Sequence, residues 1–122
     1  MSGARLLVVE DEQIILLSLV RMLERLGHTV VAQVSSGPDA VAQVRTAQPD
    51  VVLMDVRLAG PMSGLDAARQ IREFSAVPII FATAHAQALA EELSGWAGTH
   101  CAVPKPFSPS QLKTAIEQVR LG

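Results

Sequence analysis

Val51-Val52-Leu53-Met54-Asp55 is an apolar run closed by an acid, and the fold turns on how it is read. A strand that is apolar on both faces needs cover on both faces, as in a parallel sheet lying under helices. The pattern recurs along the chain. Leu6-Leu7-Val8-Val9 leads into Glu10 and Asp11, Ile79-Ile80-Phe81-Ala82 into Thr83, and Ala102-Val103 towards Lys105. Ligand crevices of open α/β sheets lie beyond the C-terminal ends of the strands. Two acids, an aspartate, a hydroxyl and an ammonium are therefore expected at one edge.

Strand-like runs near 5–9, 30–34, 51–54, 78–82 and 99–103 alternate with helical patterns near 12–26, 37–47, 64–74, 86–96 and 109–121. Five βα units in succession imply a parallel sheet with right-handed crossovers. The punctuation agrees: Gly27 follows the first helix, Pro38 falls early in the second, and Ser108-Pro109 opens the last. The winding 2-1-3-4-5, the flavodoxin-like order, places strands 1, 3, 4 and 5 side by side and brings all the polar tips together. The expected architecture is a single doubly wound (βα)5 domain over 1–122 with no output domain.

Composition narrows the function. The chain has 122 residues, 49% apolar and only 3% aromatic, so aliphatic side chains must build its core. A formal charge of −2 gives no basic footprint for nucleic acid. The single cysteine, Cys101, forms no internal disulfide, which fits a reducing cytoplasm. Met1-Ser2-Gly3-Ala4-Arg5 lacks an apolar signal core, and no apolar stretch reaches the length of a membrane span.

Three carboxylates in one crevice repel one another by about 4 kcal/mol per pair at roughly 4 Å and an effective dielectric near 20. Such a cluster protonates or takes up a cation. Carboxylate oxygens with open water positions suit Mg²⁺, which binds phosphate oxygens readily. Asp55 can then act as a covalent phosphoryl acceptor, with Lys105 and Thr83 contributing charge and hydroxyl to phosphoryl oxygens. Taken singly, each of these residues is an ordinary turn or cap residue. Their joint placement at successive strand tips carries the reading.

With Val8-Val9-Glu10-Asp11, Leu53-Met54-Asp55, Ala82-Thr83-Ala84 and Lys105-Pro106-Phe107 in order and at these spacings, the chain resembles the receiver domain of bacterial two-component response regulators. The resemblance covers essentially the whole chain. It implies that Asp55 is the phosphoacceptor and that Asp11, Asp55 and the main-chain carbonyl of Arg57 are Mg²⁺ ligands. Glu10 would act through a metal-bound water, Thr83 and Lys105 would hold phosphoryl oxygens, and the Lys105-Pro106 bond would be cis. The implied partners are a histidine kinase or histidine phosphotransfer protein and a downstream protein target.

Two positions depart from the family pattern. Glu10-Asp11 stands where many members carry two aspartates, and Ala102 stands where Tyr or Phe is usual. Without that ring, activation is expected to run through the loop at Ala84-His85 and the fourth helix. Arg57 and His85, each two residues beyond a strand tip, are expected to shield the phosphoryl group, or else to be ordinary solvated loop residues. The first helix carries Ile14, Ile15, Leu16, Leu17, Leu19, Val20, Met22, Leu23 and Leu26, more apolar positions than one core stripe needs. The excess is read as a docking patch for a histidine-bearing bundle or as a broader core. Trp96 marks an output or homodimer face, or folds back over the core.

Other functions fit less well. An aspartate-nucleophile phosphatase of the haloacid-dehalogenase type would carry its nucleophile on the first strand, as Asp-x-Asp. A flavin mononucleotide carrier would have a Ser, Thr and Gly-rich first loop, whereas this one is acidic. No Gly-x-Gly-x-x-Gly follows strand 1. The strongest rival is a pseudo-receiver, a protein-interaction module that is never phosphorylated.

Overall fold

The computed structural model describes residues 3–121; Met1, Ser2 and Gly122, which the expected 1–122 domain includes, lie outside the described residues. Its elements alternate as β1 (Arg5–Val9), α1 (Gln13–Arg25), β2 (Thr29–Val34), α2 (Gly37–Ala47), β3 (Val51–Asp55), α3 (Gly64–Arg72), β4 (Ile79–Thr83), α4 (Ala86–Glu92), β5 (His100–Pro104) and α5 (Pro109–Leu121). All four strand pairs are parallel, and the sheet order is β2-β1-β3-β4-β5, as the polar tips required.

Alternation along each strand divides the core into two layers. Leu6, Val8, Val51, Leu53, Ile80 and Val103 face Leu16, Leu19 and Leu23 of α1 and Leu112, Ile116 and Val119 of α5. Leu7, Val9, Val52, Met54, Ile79 and Phe81 face Ala40 and Val44 of α2, Ala67, Ala68 and Ile71 of α3, and Leu89 of α4. Every residue of β3 is buried, which explains why that strand shows no polar alternation. Among the described residues, no helix is long and apolar enough to cross a membrane.

The register aligns the tips. Val9 pairs with Met54, Asp55 with Ala82, and Thr83 with Pro104, so Glu10, Asp55, Thr83 and Lys105 end neighbouring strands at one level. Pro104 is tolerated because β5 is an edge strand. The Lys105-Pro106 peptide is cis, as the resemblance implied.

The fourth helix falls furthest short of its pattern. The expected 86–96 helix stops at Glu92, with Leu93 as its cap. Gly95 then takes a φ of +83°, which reverses the chain and folds Trp96 back onto Phe81, with ring centroids 5.9 Å apart. Of the two readings of Trp96, the packed one holds: its ring joins the second core layer and meets His100 edge-on at 5.1 Å. Arg72, in the last turn of α3, secures this corner by donating to the carbonyls of Ser75, Val77, Ala97 and Thr99.

A histidine fastens the opposite end of the sheet. His28 Nδ1 accepts the Ala4 N–H at 2.9 Å, and Ala4 is fully buried. Burial holds the imidazole below its ordinary pKa; nearby Arg120 adds to this, while Glu117 opposes it. A depressed pKa means that the unfolded chain binds the proton more readily, so stability is full above the ordinary histidine value of 6.5 and declines as pH falls through the folded value. Melting temperature is therefore expected to fall on acidification from pH 7 to 5, and His28→Gln should flatten that slope. Parallel slopes for the two proteins would refute the linkage.

Candidate functional site

Four strand tips and the loops after β1 and β3 enclose a cleft of about 440 Å³, lined by Asp11, Glu12, Asp55, Arg57, Thr83, His85 and Lys105 among others. Glu10 lies beneath it, 1% exposed, and Asp55 is 6% exposed. Lys105 Nζ donates to Glu10 Oε1 and to Asp55 Oδ2, each at 3.2 Å. The expected meeting of ammonium and aspartate, fifty positions apart in the chain, is therefore in place.

Main-chain amides complete the carboxylate shells. Glu10 Oε2 accepts the Glu12 N–H at 3.1 Å, and Asp55 Oδ1 accepts the Arg57 N–H at 3.1 Å. Asp11 Oδ2 accepts the Ala59 N–H at 3.0 Å. Thr83 Oγ1 faces the same cleft and accepts the His85 N–H at 3.1 Å.

Charge decides what the cleft can hold. Each Lys105–carboxylate contact is worth on the order of 5 kcal/mol of Coulomb attraction at an effective dielectric near 20, before desolvation is subtracted. One ammonium against three carboxylates still leaves two negative charges. Burial pushes the Glu10 carboxyl up to about 6, helped by the charge of Asp55 and opposed by the Glu12 N–H and by Lys105. Burial by itself would lower the Lys105 pKa, but the hydrogen bonds and charges of Asp55 and Glu10 outweigh it, and the net movement is upward. The ammonium stays charged.

Glu10, Asp11 and Asp55 offer carboxylate oxygens that all lie within 4.8 Å of one another. That donor set is all hard oxygen and carries a surplus negative charge, which fits Mg²⁺ in both chemistry and charge. Glu10 in place of a shorter acid still reaches the cluster.

The sequence-expected residues Glu10, Asp11, Asp55, Thr83 and Lys105 thus converge, and Arg57 stands at the rim with an exposed side chain. Sequence reasoning missed the amides of Glu12 and Ala59, because a main-chain donor leaves no mark in residue type. On α1 the apolar excess divides between core and surface. Leu16, Leu19 and Leu23 are core, whereas Ile14 is 84% and Leu17 49% exposed. Ile14, Ile15, Leu19 and Met22 line a 510 Å³ groove that runs to Lys105, Pro106 and Phe107 beside the site.

Comparison with known proteins agrees with this geometry. The family model of the response regulator receiver domain matches residues 6–117. The transcriptional regulatory protein YvrH of Bacillus subtilis is 37% identical over 117 residues, covering 95% of this chain and 48% of YvrH. Protein PilH of Pseudomonas aeruginosa is 35% identical over 122 residues, covering 98% of this chain and 99% of PilH. The crystal structure of the anti-anti-sigma factor PhyR from Bartonella quintana superposes with a TM-score of 0.85 at 32% identity, over 99% of this chain and 49% of that one. The chain thus spans about half the length of YvrH and PhyR and nearly all of PilH. With five parallel strands wound 2-1-3-4-5, an acidic cluster and a lysine at their tips, and a family match over almost its whole length, the chain belongs to the response regulator receiver domains of two-component systems.

Proposed function

We propose that this domain accepts a phosphoryl group on Asp55 from a phosphohistidine of a kinase or histidine phosphotransfer protein, and that the phosphorylated surface is read by a downstream protein. The observation that carries this is the 3.2 Å contact of Lys105 Nζ with Asp55 Oδ2 beside the Glu10–Asp11–Asp55 cluster. Asp11, Asp55 and the Arg57 carbonyl would hold Mg²⁺ directly, and Glu10 would hold it through water. The cation supplies charge neutralisation for a phosphoryl dianion approaching a carboxylate.

An Asp55 carboxylate oxygen forms the new bond to phosphorus, and the bond from phosphorus to the donor imidazole nitrogen breaks. That nitrogen leaves with the electron pair. Lys105 and the Thr83 hydroxyl hold phosphoryl oxygens, so positioning and charge compensation do most of the work. The α1 groove leading to Lys105 and Phe107 offers apolar anchorage to a helical donor next to the cleft.

Incubation with MgCl2 and a small phosphodonor is expected to add one phosphoryl mass to the intact protein. Chelating the metal should slow this by roughly 100-fold or more, equivalent to about 3 kcal/mol of lost charge neutralisation. No mass gain with metal present would leave the second reading, an unphosphorylated interaction module. Ala102 favours that reading, because β5 sets a methyl group, not a ring, beside Phe81 at that position.

Arg57 should also govern the lifetime of the phosphoryl group. Its exposed side chain stands at the cleft rim, where it can cover the site against water. Arg57→Ala is expected to lose phosphate a few-fold faster, the effect of about 1 kcal/mol of barrier. An unchanged half-life would assign Arg57 to the solvated loop.

A further inference from the structure

The three acids of the cluster are not held alike. Glu10 and Asp55 each engage both carboxylate oxygens with the chain, through Lys105 and through the Glu12 and Arg57 amides respectively. Asp11 sits higher, half-buried, at the start of the loop between β1 and α1. Its described hydrogen bond is the single one from the Ala59 N–H to Oδ2, across 48 residues of sequence. Lys105 pairs with Glu10 and Asp55. Of the three carboxylates, Asp11 is the one whose main-chain donor comes from another loop.

We infer that the main-chain N–H of Ala59 is a positioning group for Asp11 as a cation ligand. The inference rests on the metal reading proposed above. A bond to Oδ2 fixes the rotation of the carboxylate and leaves its other oxygen for the cation. An acid on a loop, otherwise free to turn into solvent, is thereby preorganised within the 4.8 Å cluster. Outer partners that orient ligands in this way typically account for roughly 10–100-fold in metal affinity. The same bond ties the loops after β1 and β3 together across the sheet's switch point. Ala59 is itself exposed, so its side chain has no packing part in this.

The contrast that isolates the amide is Ala59→Pro, which lacks the donor, against Ala59→Gly, which keeps it. With Mg²⁺ alone titrated calorimetrically into the protein, Ala59→Gly should bind like the wild type. Ala59→Pro should bind roughly 10-fold or more weakly. Equal affinity of all three proteins would overturn the inference while leaving the metal site standing. A wild type that takes up no Mg²⁺ would overturn the metal reading, and the inference with it.

Because proline also restrains Leu58, hydrogen exchange of the Ala59 amide in the unaltered chain supplies a second measurement. Protection in the metal-free protein that persists with Mg²⁺ supports an orienting bond. Protection that vanishes when Mg²⁺ is added would mean that the amide competes with the metal, the reverse of the inference.

Discussion

Asp55→Asn is expected to gain no phosphoryl mass under conditions in which the wild type is fully modified, and to remain folded. The amide oxygen can still accept the Arg57 N–H that Asp55 Oδ1 accepts at 3.1 Å, and Lys105 keeps Glu10 as a partner at 3.2 Å. What disappears is the nucleophile, because a neutral amide neither attacks phosphorus nor forms the acyl phosphate. One of the charges that pushes Glu10 up to about 6 disappears too, so the Glu10 carboxyl should move back down. An Asp55→Asn protein that takes up phosphate as the wild type does would place the acceptor elsewhere and overturn the proposed function. Loss of modification with an unchanged circular dichroism spectrum is the expected pair of results.

Gly64→Ala should be strongly destabilising. An added Cβ would stand 2.1 Å from the Asp55 carbonyl oxygen and 3.0 Å from Met54 Cγ. Both belong to fully buried β3, which cannot recoil without disturbing the sheet at the site. Gly64 also donates its N–H to the Val56 carbonyl at 2.9 Å, so α3 starts directly against the strand that carries Asp55. The Ser63–Asp66 capping box holds that start in place.

Overpacking of this kind costs at least the upper part of the usual ~1–3 kcal/mol range, or roughly 10 °C in melting temperature for a domain of this size. Gly95 is the built-in control. It has nothing within 4 Å of an added Cβ, and its requirement is a φ of +83° alone. Alanine there should cost about 1–2 kcal/mol and leave the cleft intact. A Gly64→Ala protein melting at the wild-type temperature would show that the α3–β3 approach has slack.

Much of the molecule could be read from residue order because its signals are local. Apolar runs such as Val51–Met54 announce buried strands, and Ser108 before Pro109 announces a helix start, whatever surrounds them. The polar residues at the run ends then followed from the parallel winding, and the observed register places them side by side. The fourth helix was overestimated because its apolar spacing continues to Trp96, while the positive φ at Gly95 turns that tail back on itself. The surplus of apolar residues on α1 divided between core and surface according to which side of the helix the sheet covers, and no pattern within the helix states that division.

The sequence by itself determined the fold class, the sheet order and the identity of the residues that meet in the cleft. These follow from periodicity and from the rule that parallel strands deliver their C-terminal ends to one edge. Only the tertiary structure decided how those residues are held: Lys105 shared between Glu10 and Asp55, Asp11 tied to the Ala59 amide, and Gly64 pressed against the Asp55 backbone. The reason is physical. Main-chain donors and close approaches of backbone carry no side-chain signature, so they come into being only when distant segments are brought within hydrogen-bond distance.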